Sequence, residues 1–248
     1  MNLQGKHGLV IGVANEHSIA WGCAQAYADA GASLTLTAQN DRSRDYVAPL
    51  AERIGADLVT LDVREGEQWD AVFSGLAQLD FALHSIAFAP KADLQGDLVD
   101  ASAKGFGIAM EISCYSLIEL CRRARPLMKS GGSITTMSYY GAQRVVPNYQ
   151  LMGPVKAALE ASVRQLSVDL GGDNIRVNAL SPGPIATRAA SGLAHFDELM
   201  RKAAADAPLG TLTTIEDVGQ FAAFLASASA RHVTGQTLFV DAGYCARD

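Results

Sequence analysis

Seven short runs rich in valine, isoleucine, leucine and threonine punctuate the chain, and stretches of different periodicity separate them. The runs are "HGLVIGV" from His7, "SLTLTA" from Ser33, "DLVTLDV" from Asp57, "FALHSIAF" from Phe81, "SITTMS" from Ser133, "IRVNALS" from Ile175 and "TLFVDAG" from Thr237. Each has the length and apolar content of a parallel strand covered on both faces. Between them the apolar spacing changes to three and four. Met152, Val155, Leu159, Val163, Leu166 and Leu170 line one face of a helix that Gly171 stops. Strand and helix in alternation predict an α/β fold with a doubly wound parallel sheet of seven strands. No repeat or low-complexity linker interrupts residues 1–248, so a single domain is expected. Ligands in such sheets bind beyond the carboxyl ends of the strands, so chemistry is expected just after each run.

Composition narrows the partners. With 49% hydrophobic and 19% charged residues, the chain can bury a sizeable core. A net charge of -6 argues against nucleic acid as the main partner. No stretch approaches the ~18 apolar residues of a membrane span, so no membrane partner is expected. The start, "MNLQGKHGLVIGVANEH", has no long apolar region followed by a small-residue cleavage site, which predicts a cytoplasmic protein. Cys23, Cys114, Cys121 and Cys245 form no CxxC pair and read as small buried hydrophobes. The histidines show no HExxH spacing, so no metal site is expected.

The stretch "NYQLMGPVK" at 148–156 sets Tyr149 and Lys156 seven residues apart. Seven helical steps bring a side chain almost back to the same face, about 10 Å along the axis. A structural helix has little use for a phenol and an ammonium on one stripe, although rim residues that snorkel to solvent would also fit. Pro154 lies between them, and proline inside a helix costs roughly 3 kcal/mol. That cost shrinks in the first turn, whose N–H groups lack partners anyway, so the helix is predicted to start at or just after Tyr149.

After the first run comes "GVANEHSIAWG", Gly12 to Gly22, which is not the usual G-x-G-x-x-G fingerprint. Gly12 still permits a tight turn, Ser18 can cap a helix whose free amides suit a pyrophosphate, and Gly22 allows close helix–sheet approach. This G-x5-S-I-A-x-G pattern resembles the divergent short-chain dehydrogenase/reductases that are enoyl-acyl-carrier-protein reductases. Further matches follow in order: "AQND" at 38–41, "LDV" at 61–63, "HSIAFAP" at 84–90, "SYYGAQRVVPNYQLMG" at 138–153, "KAALEASVR" at 156–164, "IRVNALSPGPIATRAASG" at 175–192 and "TIEDVG" at 214–219. The similarity spans nearly the whole chain. The segment before "HSIAF" is shorter than in the family, as a trimmed surface loop would be, and Pro154 replaces a residue that is commonly small or aliphatic.

The resemblance implies a Rossmann-type fold with a nicotinamide cofactor over the sheet. Gly12, Val13, Ser18 and Ile19 would hold the pyrophosphate region, Gln39 the adenosine ribose, and Asp62 and Val63 the adenine. Ser85, Ile86 and Ala87 would line the cofactor behind the fourth strand, and Ile185 and Thr187 would meet the carboxamide. A neutral Gln39 followed by Asn40 and Asp41, with Arg42 only afterwards, favours NADH over NADPH. Ordinary members of the superfamily carry Tyr-x3-Lys with a serine roughly thirteen residues before the tyrosine. Here Tyr149-x6-Lys156, with Tyr139 ten residues upstream and Ser138 only eleven, resembles the enoyl reductases.

By that resemblance Tyr149 stabilises the enolate formed by hydride addition to a trans-2-enoyl thioester. Lys156 binds the nicotinamide ribose, and Tyr139 lines the acyl site. The stretch around 188–208, with Ala189, Ala190 and Met200, would close over the substrate, and Arg201 and Lys202 would face an acidic carrier. The implied function is NADH-dependent reduction in fatty-acid biosynthesis, on a thioester of acyl carrier protein or coenzyme A, by a homotetramer. A ketoreductase or other short-chain dehydrogenase, or a dinucleotide-binding protein without turnover, stays open. The first would place a serine instead of Tyr139 beside Tyr149.

Overall fold

The computed structural model describes residues 1–185 and 196–246. Its centre is one seven-stranded sheet, every neighbouring pair parallel: β1 His7–Ile11, β2 Ser33–Ala38, β3 Asp57–Thr60, β4 Phe81–His84, β5 Gly132–Met137, β6 Ile175–Pro182 and β7 Thr237–Val240. The order is β3-β2-β1-β4-β5-β6-β7. The winding reverses between β1 and β4, which opens the crevice where such sheets take ligands. All seven runs become strands, but several are shorter than their sequence patterns. The apolar tails after Ile11, Thr60, His84 and Val240 are loops at the carboxyl edge. The edge strands β3 and β7 are not covered on both faces, unlike the inner five, because each has only one neighbour.

Helices cover both faces: α1 Ile19–Asp29, α2 Asp41–Arg53, α3 Gly66–Ser74, α4 Lys91–Gln95, α5 Ala103–Met110, α6 Ser116–Ala124, α7 Met152–Gly171, α8 Phe196–Asp206 and α9 Ile215–Ala226. A π-helical turn, Glu111–Tyr115, joins α5 to α6. Alternation along the strands divides the core. Val10 joins Trp21, Tyr27, Phe81 and Val218 on one side, while Leu9 and Ile11 join Trp69, Leu117, Ile134 and Leu159 on the other. Three of the cysteines are buried in these clusters, and the Cys245 thiol is half-buried. Among the described residues no helix is long and apolar enough to cross a membrane.

Gly22 allows close approach, but to a helix rather than to the sheet. A Cβ on Gly22 would lie 2.3 Å from the Ile215 carbonyl oxygen of α9, and one on Gly219 would lie 2.3 Å from the carbonyl oxygen of Gly22. The two backbones touch, so neither side can yield. Gly22→Ala is expected to destabilise the protein by about 1–3 kcal/mol through overpacking, read as a lower urea midpoint with an unchanged slope.

Candidate active site

The crevice floor is built where β1 and β4 end. Gly12 has a φ of 112°, and a Cβ there would stand 2.1 Å from the Ser85 carbonyl oxygen and 3.1 Å from Ile86 Cγ2. Only glycine holds this left-handed turn against the neighbouring loop. The Ser85 amide donates to the Ile11 carbonyl at 2.9 Å, which locks the two loops together. Val13 is buried beneath them, Ile86 is half-buried, and Ala87 is exposed at the rim.

Ser18 occupies the N-cap position of α1, as expected, but its side chain does not cap the helix. Its hydroxyl instead donates to the Asn15 carbonyl at 2.7 Å and accepts from the Ala14 amide at 3.4 Å. The loop is thereby closed on itself, and the amide of Ile19, first residue of the helix, is not taken up by its own cap. A helix start with free amides suits a pyrophosphate.

At the β2 and β3 ends, the Gln39 amide donates to the Asp62 carboxylate at 3.2 Å. Asp62 is held in turn, its N–H donating to Gln68 Oε1 at 2.6 Å and its second oxygen accepting from the Arg64 amide at 3.0 Å. The Val63 carbonyl accepts from the Trp69 indole at 2.9 Å. A carboxylate is thus presented at the end expected to take the adenine. Ile185 is half-buried and packs on the α1 side of the core. Thr187, Ala189 and Ala190 lie outside the described residues. The glycine cradle, the uncapped α1 terminus and the Gln39–Asp62 pair together fit a dinucleotide.

Beyond β5 the two tyrosines meet. The rings of Tyr139 and Tyr149 pack edge to face with centroids 4.8 Å apart, and Tyr139 also meets Tyr140 at 5.1 Å. Gly141 leaves the room, since a Cβ there would sit 2.5 Å from Tyr149 Cδ1. Tyr149 is flanked by left-handed Asn148 (φ 63°) and Gln150 (φ 36°). Such backbone costs roughly 1–3 kcal/mol per residue and clusters at functional sites. Helix α7 begins at Met152, three residues after Tyr149, so Pro154 falls in the first turn and displaces no helical hydrogen bond. Burial pushes the Tyr139 phenol well above its ordinary pKa, with Tyr149 adding to the effect. Burial and then the Glu160 charge do the same to Tyr149. The Tyr139 hydroxyl is buried and has no hydrogen-bond partner among the described residues.

Lys156 is only 5% exposed, and its ammonium donates to the Met137 carbonyl at 2.6 Å. Burial lowers its pKa to about 8, against the raising influence of Cys114 and Glu160. Tyr149 and Lys156 therefore both bear on the Met137–Gly141 segment, one through Gly141 and the other through Met137. The snorkelling alternative fails for Lys156, whose head is buried.

Two polar groups here, His84 and Glu160, escaped sequence reasoning, and a third, Ser138, was legible only as a serine too near Tyr149 for the ketoreductase pattern. His84, at the end of β4, is fully buried between Thr136 Oγ1 at 2.8 Å and Ser116 Oγ at 2.7 Å. Burial and then nearby Lys156 push its pKa down to about 3, so the imidazole is neutral at ordinary pH. Ser138 donates to the Glu160 carboxylate at 2.7 Å, which commits the hydroxyl to a helix partner rather than to a substrate carbonyl. That geometry disfavours the ketoreductase alternative. Glu160 was legible only as the residue four after Lys156, a spacing that gives no hint of burial.

Helix α8 lies over the tyrosines. Ala203 and Ala207 pack with Tyr140, Val146 and Tyr244, and both Tyr139 and Tyr149 border this cluster. Met200 is half-buried, whereas Arg201 and Lys202 are exposed. The part of the 188–208 segment before Phe196 lies outside the described residues.

The model of the enoyl-(acyl carrier protein) reductase family matches residues 12–245. An NADH-dependent enoyl-[acyl-carrier-protein] reductase of Rickettsia felis is 48% identical over 247 residues, covering 98% of this chain and 95% of its own. The crystal structure of an enoyl-(acyl-carrier-protein) reductase from Anaplasma phagocytophilum, in complex with NAD, superposes with a TM-score of 0.95 at 46% identity, covering 98% of this chain and 95% of that one. The NADH enzyme of Aquifex aeolicus gives a TM-score of 0.94 at 44% identity, with 98% of each chain covered.

Proposed function

The chain belongs to the enoyl-acyl-carrier-protein reductase family, and on that premise we propose how its own residues divide the work. It is an NADH-dependent enoyl reductase of fatty-acid biosynthesis acting on acyl-carrier-protein thioesters. When bound, NADH supplies the hydride that adds to the β-carbon of a trans-2-enoyl thioester, leaving negative charge on the thioester oxygen.

Tyr149 donates its phenolic hydrogen bond to that oxygen. Burial and the Glu160 charge hold the phenol protonated, so it is a donor throughout the working pH range. Because the charge develops mainly in the transition state, a preplaced donor is worth about 3 kcal/mol. Lys156 orients the nicotinamide ribose and supplies positive potential from a site that excludes water. Tyr139 lines the acyl site, and its hydroxyl, without a partner among the described residues, is a second donor. Gly12, Val13, Ser18 and Ile19 cradle the pyrophosphate, and Ser85, Ile86 and Ala87 flank the cofactor beyond β4. Gln39, Asp62 and Val63 take the adenosine end, while Ile185 and Thr187 take the carboxamide. The 188–208 segment covers the acyl chain, with Arg201 and Lys202 turned to an acidic carrier. A homotetramer is assembled through α7, where Val168 is 75% exposed.

The observation that carries this reading is the contact of two tyrosine rings beside a buried lysine at the carboxyl end of β5. Spectrophotometric loss of NADH with an enoyl carrier protein or crotonyl-CoA tests it. The KM for NADPH is expected to exceed that for NADH, because Gln39 and Asn40 at the end of β2 are neutral, Asp41 is acidic and Arg42 comes only after them. Equal constants would remove the adenosine assignment, and no NADH consumption would remove the site as a whole.

A further inference from the structure

Two opposite charges stand one turn apart on α7, and both are buried: Lys156 at 5% exposure and Glu160 at 4%. Buried charges are costly unless they are bonded, and each of these is. Lys156 takes the Met137 carbonyl at 2.6 Å. Glu160 takes the Ser138 hydroxyl on one oxygen at 2.7 Å and the Gln143 amide on the other at 3.1 Å. The partners lie on one short segment, Met137 and Ser138 adjacent and Gln143 five residues further on. Everything from Met137 to Gln143 is pinned to one helix at three points, and that segment carries Tyr139 and the Gly141 surface against which Tyr149 packs.

We propose that Glu160 is a positioning residue for the reaction: its carboxylate clips the Ser138–Gln143 segment onto α7 and supplies the countercharge to Lys156. The inference rests on the cofactor-binding role given above to Lys156. The titratable groups facing that lysine are His84 from β4, Cys114 from the π-helical turn and Glu160 from α7 itself. Among these Glu160 is the carboxylate. It also faces Tyr149, whose phenol burial keeps protonated and whose pKa the Glu160 charge raises further. One buried anion therefore acts in the same direction on both groups, favouring the proton-bearing form of each.

The test is the pH dependence of NADH affinity, read by cofactor fluorescence without turnover, together with kcat. In the parent protein affinity is expected to fall above pH about 8, where Lys156 loses its proton. In Glu160→Gln that fall is expected at least one pH unit lower, so affinity at pH 8 drops about fivefold or more. Glu160→Asp, which keeps the charge, should restore the fall to its parental position. The double variant Ser138→Ala/Gln143→Leu keeps the carboxylate and removes both clips; its pH limb is expected to stay while kcat falls severalfold.

A folded Glu160→Gln protein with the parental limb overturns the countercharge. Parental kcat in the double variant overturns the clip even if Glu160→Gln does not fold, and the pH limb of folded Glu160→Asp set against Glu160→Ala then tests the countercharge. If the parent itself shows no limb near pH 8, or no NADH binding, the role of Lys156 is at fault instead.

Discussion

Tyr149→Phe is expected to lower kcat with crotonyl-CoA about a hundredfold or more, while the dissociation constant for NADH stays within about twofold. The substitution removes one oxygen and keeps the ring that packs on Gly141 and Tyr139. Loss of a single oxyanion donor costs roughly 3 kcal/mol when charge appears mainly in the transition state. Binding of substrate and cofactor should change little, so the loss falls on kcat rather than on KM. Stopped-flow single turnovers beside equilibrium cofactor titration separate the two. If the variant turns over like the parent, the donor is another group, and Tyr139, whose hydroxyl has no partner among the described residues, is the first to examine.

Lys156→Met is expected to weaken NADH binding at least tenfold at pH 7 without lowering the melting temperature by more than a few degrees. The fall of the lysine pKa from 10.5 to about 8 corresponds to about 3 kcal/mol held against the buried ammonium. Methionine removes that burden at similar volume. It also leaves the Met137 carbonyl unpaired, which costs about 1–3 kcal/mol, so the two changes nearly cancel in stability.

The sign of the pH effect separates the roles. With a folded-state pKa below the unfolded value, the unfolded chain binds more protons between pH about 8 and 10.5, so this group makes stability rise with pH across that window. Cofactor affinity moves the opposite way, because the ammonium is lost above about 8. Opposed trends in the parent, both absent in Lys156→Met, are the expected signature. A variant that still binds NADH with parental affinity would remove Lys156 from the cofactor site.

Much of this molecule is readable from its residues in order. The seven apolar runs begin at or within one residue of the strands, and the three-and-four spacing from Met152 to Leu170 matches α7. Gly12 could be singled out because it follows a strand in a sheet type that binds ligands there, whereas Asp62 is picked out only by the family resemblance. The strand ends were read too long. Residues such as Val13, Val63 and Ile86 are apolar because they pack beneath the crevice, not because they extend the ladder. Periodicity cannot tell those two causes apart.

Burial of β-branched residues in period two and of helix faces in period 3.6 is a local matter, decided by backbone sterics and hydrophobic patterning, and so the order of elements belongs to the sequence alone. The nearness in the chain of the Tyr149 phenol and the Lys156 amine was legible for the same reason, since both lie within nine residues. Partner choice is different. Ser138 turns to Glu160, Gly22 faces α9 rather than the sheet, and His84 is shared between β5 and α6. Each outcome depends on which distant group happens to arrive within about 3 Å once the core has closed. Only the packed structure decides that, because a buried polar group must find a partner and the chain order does not say which one.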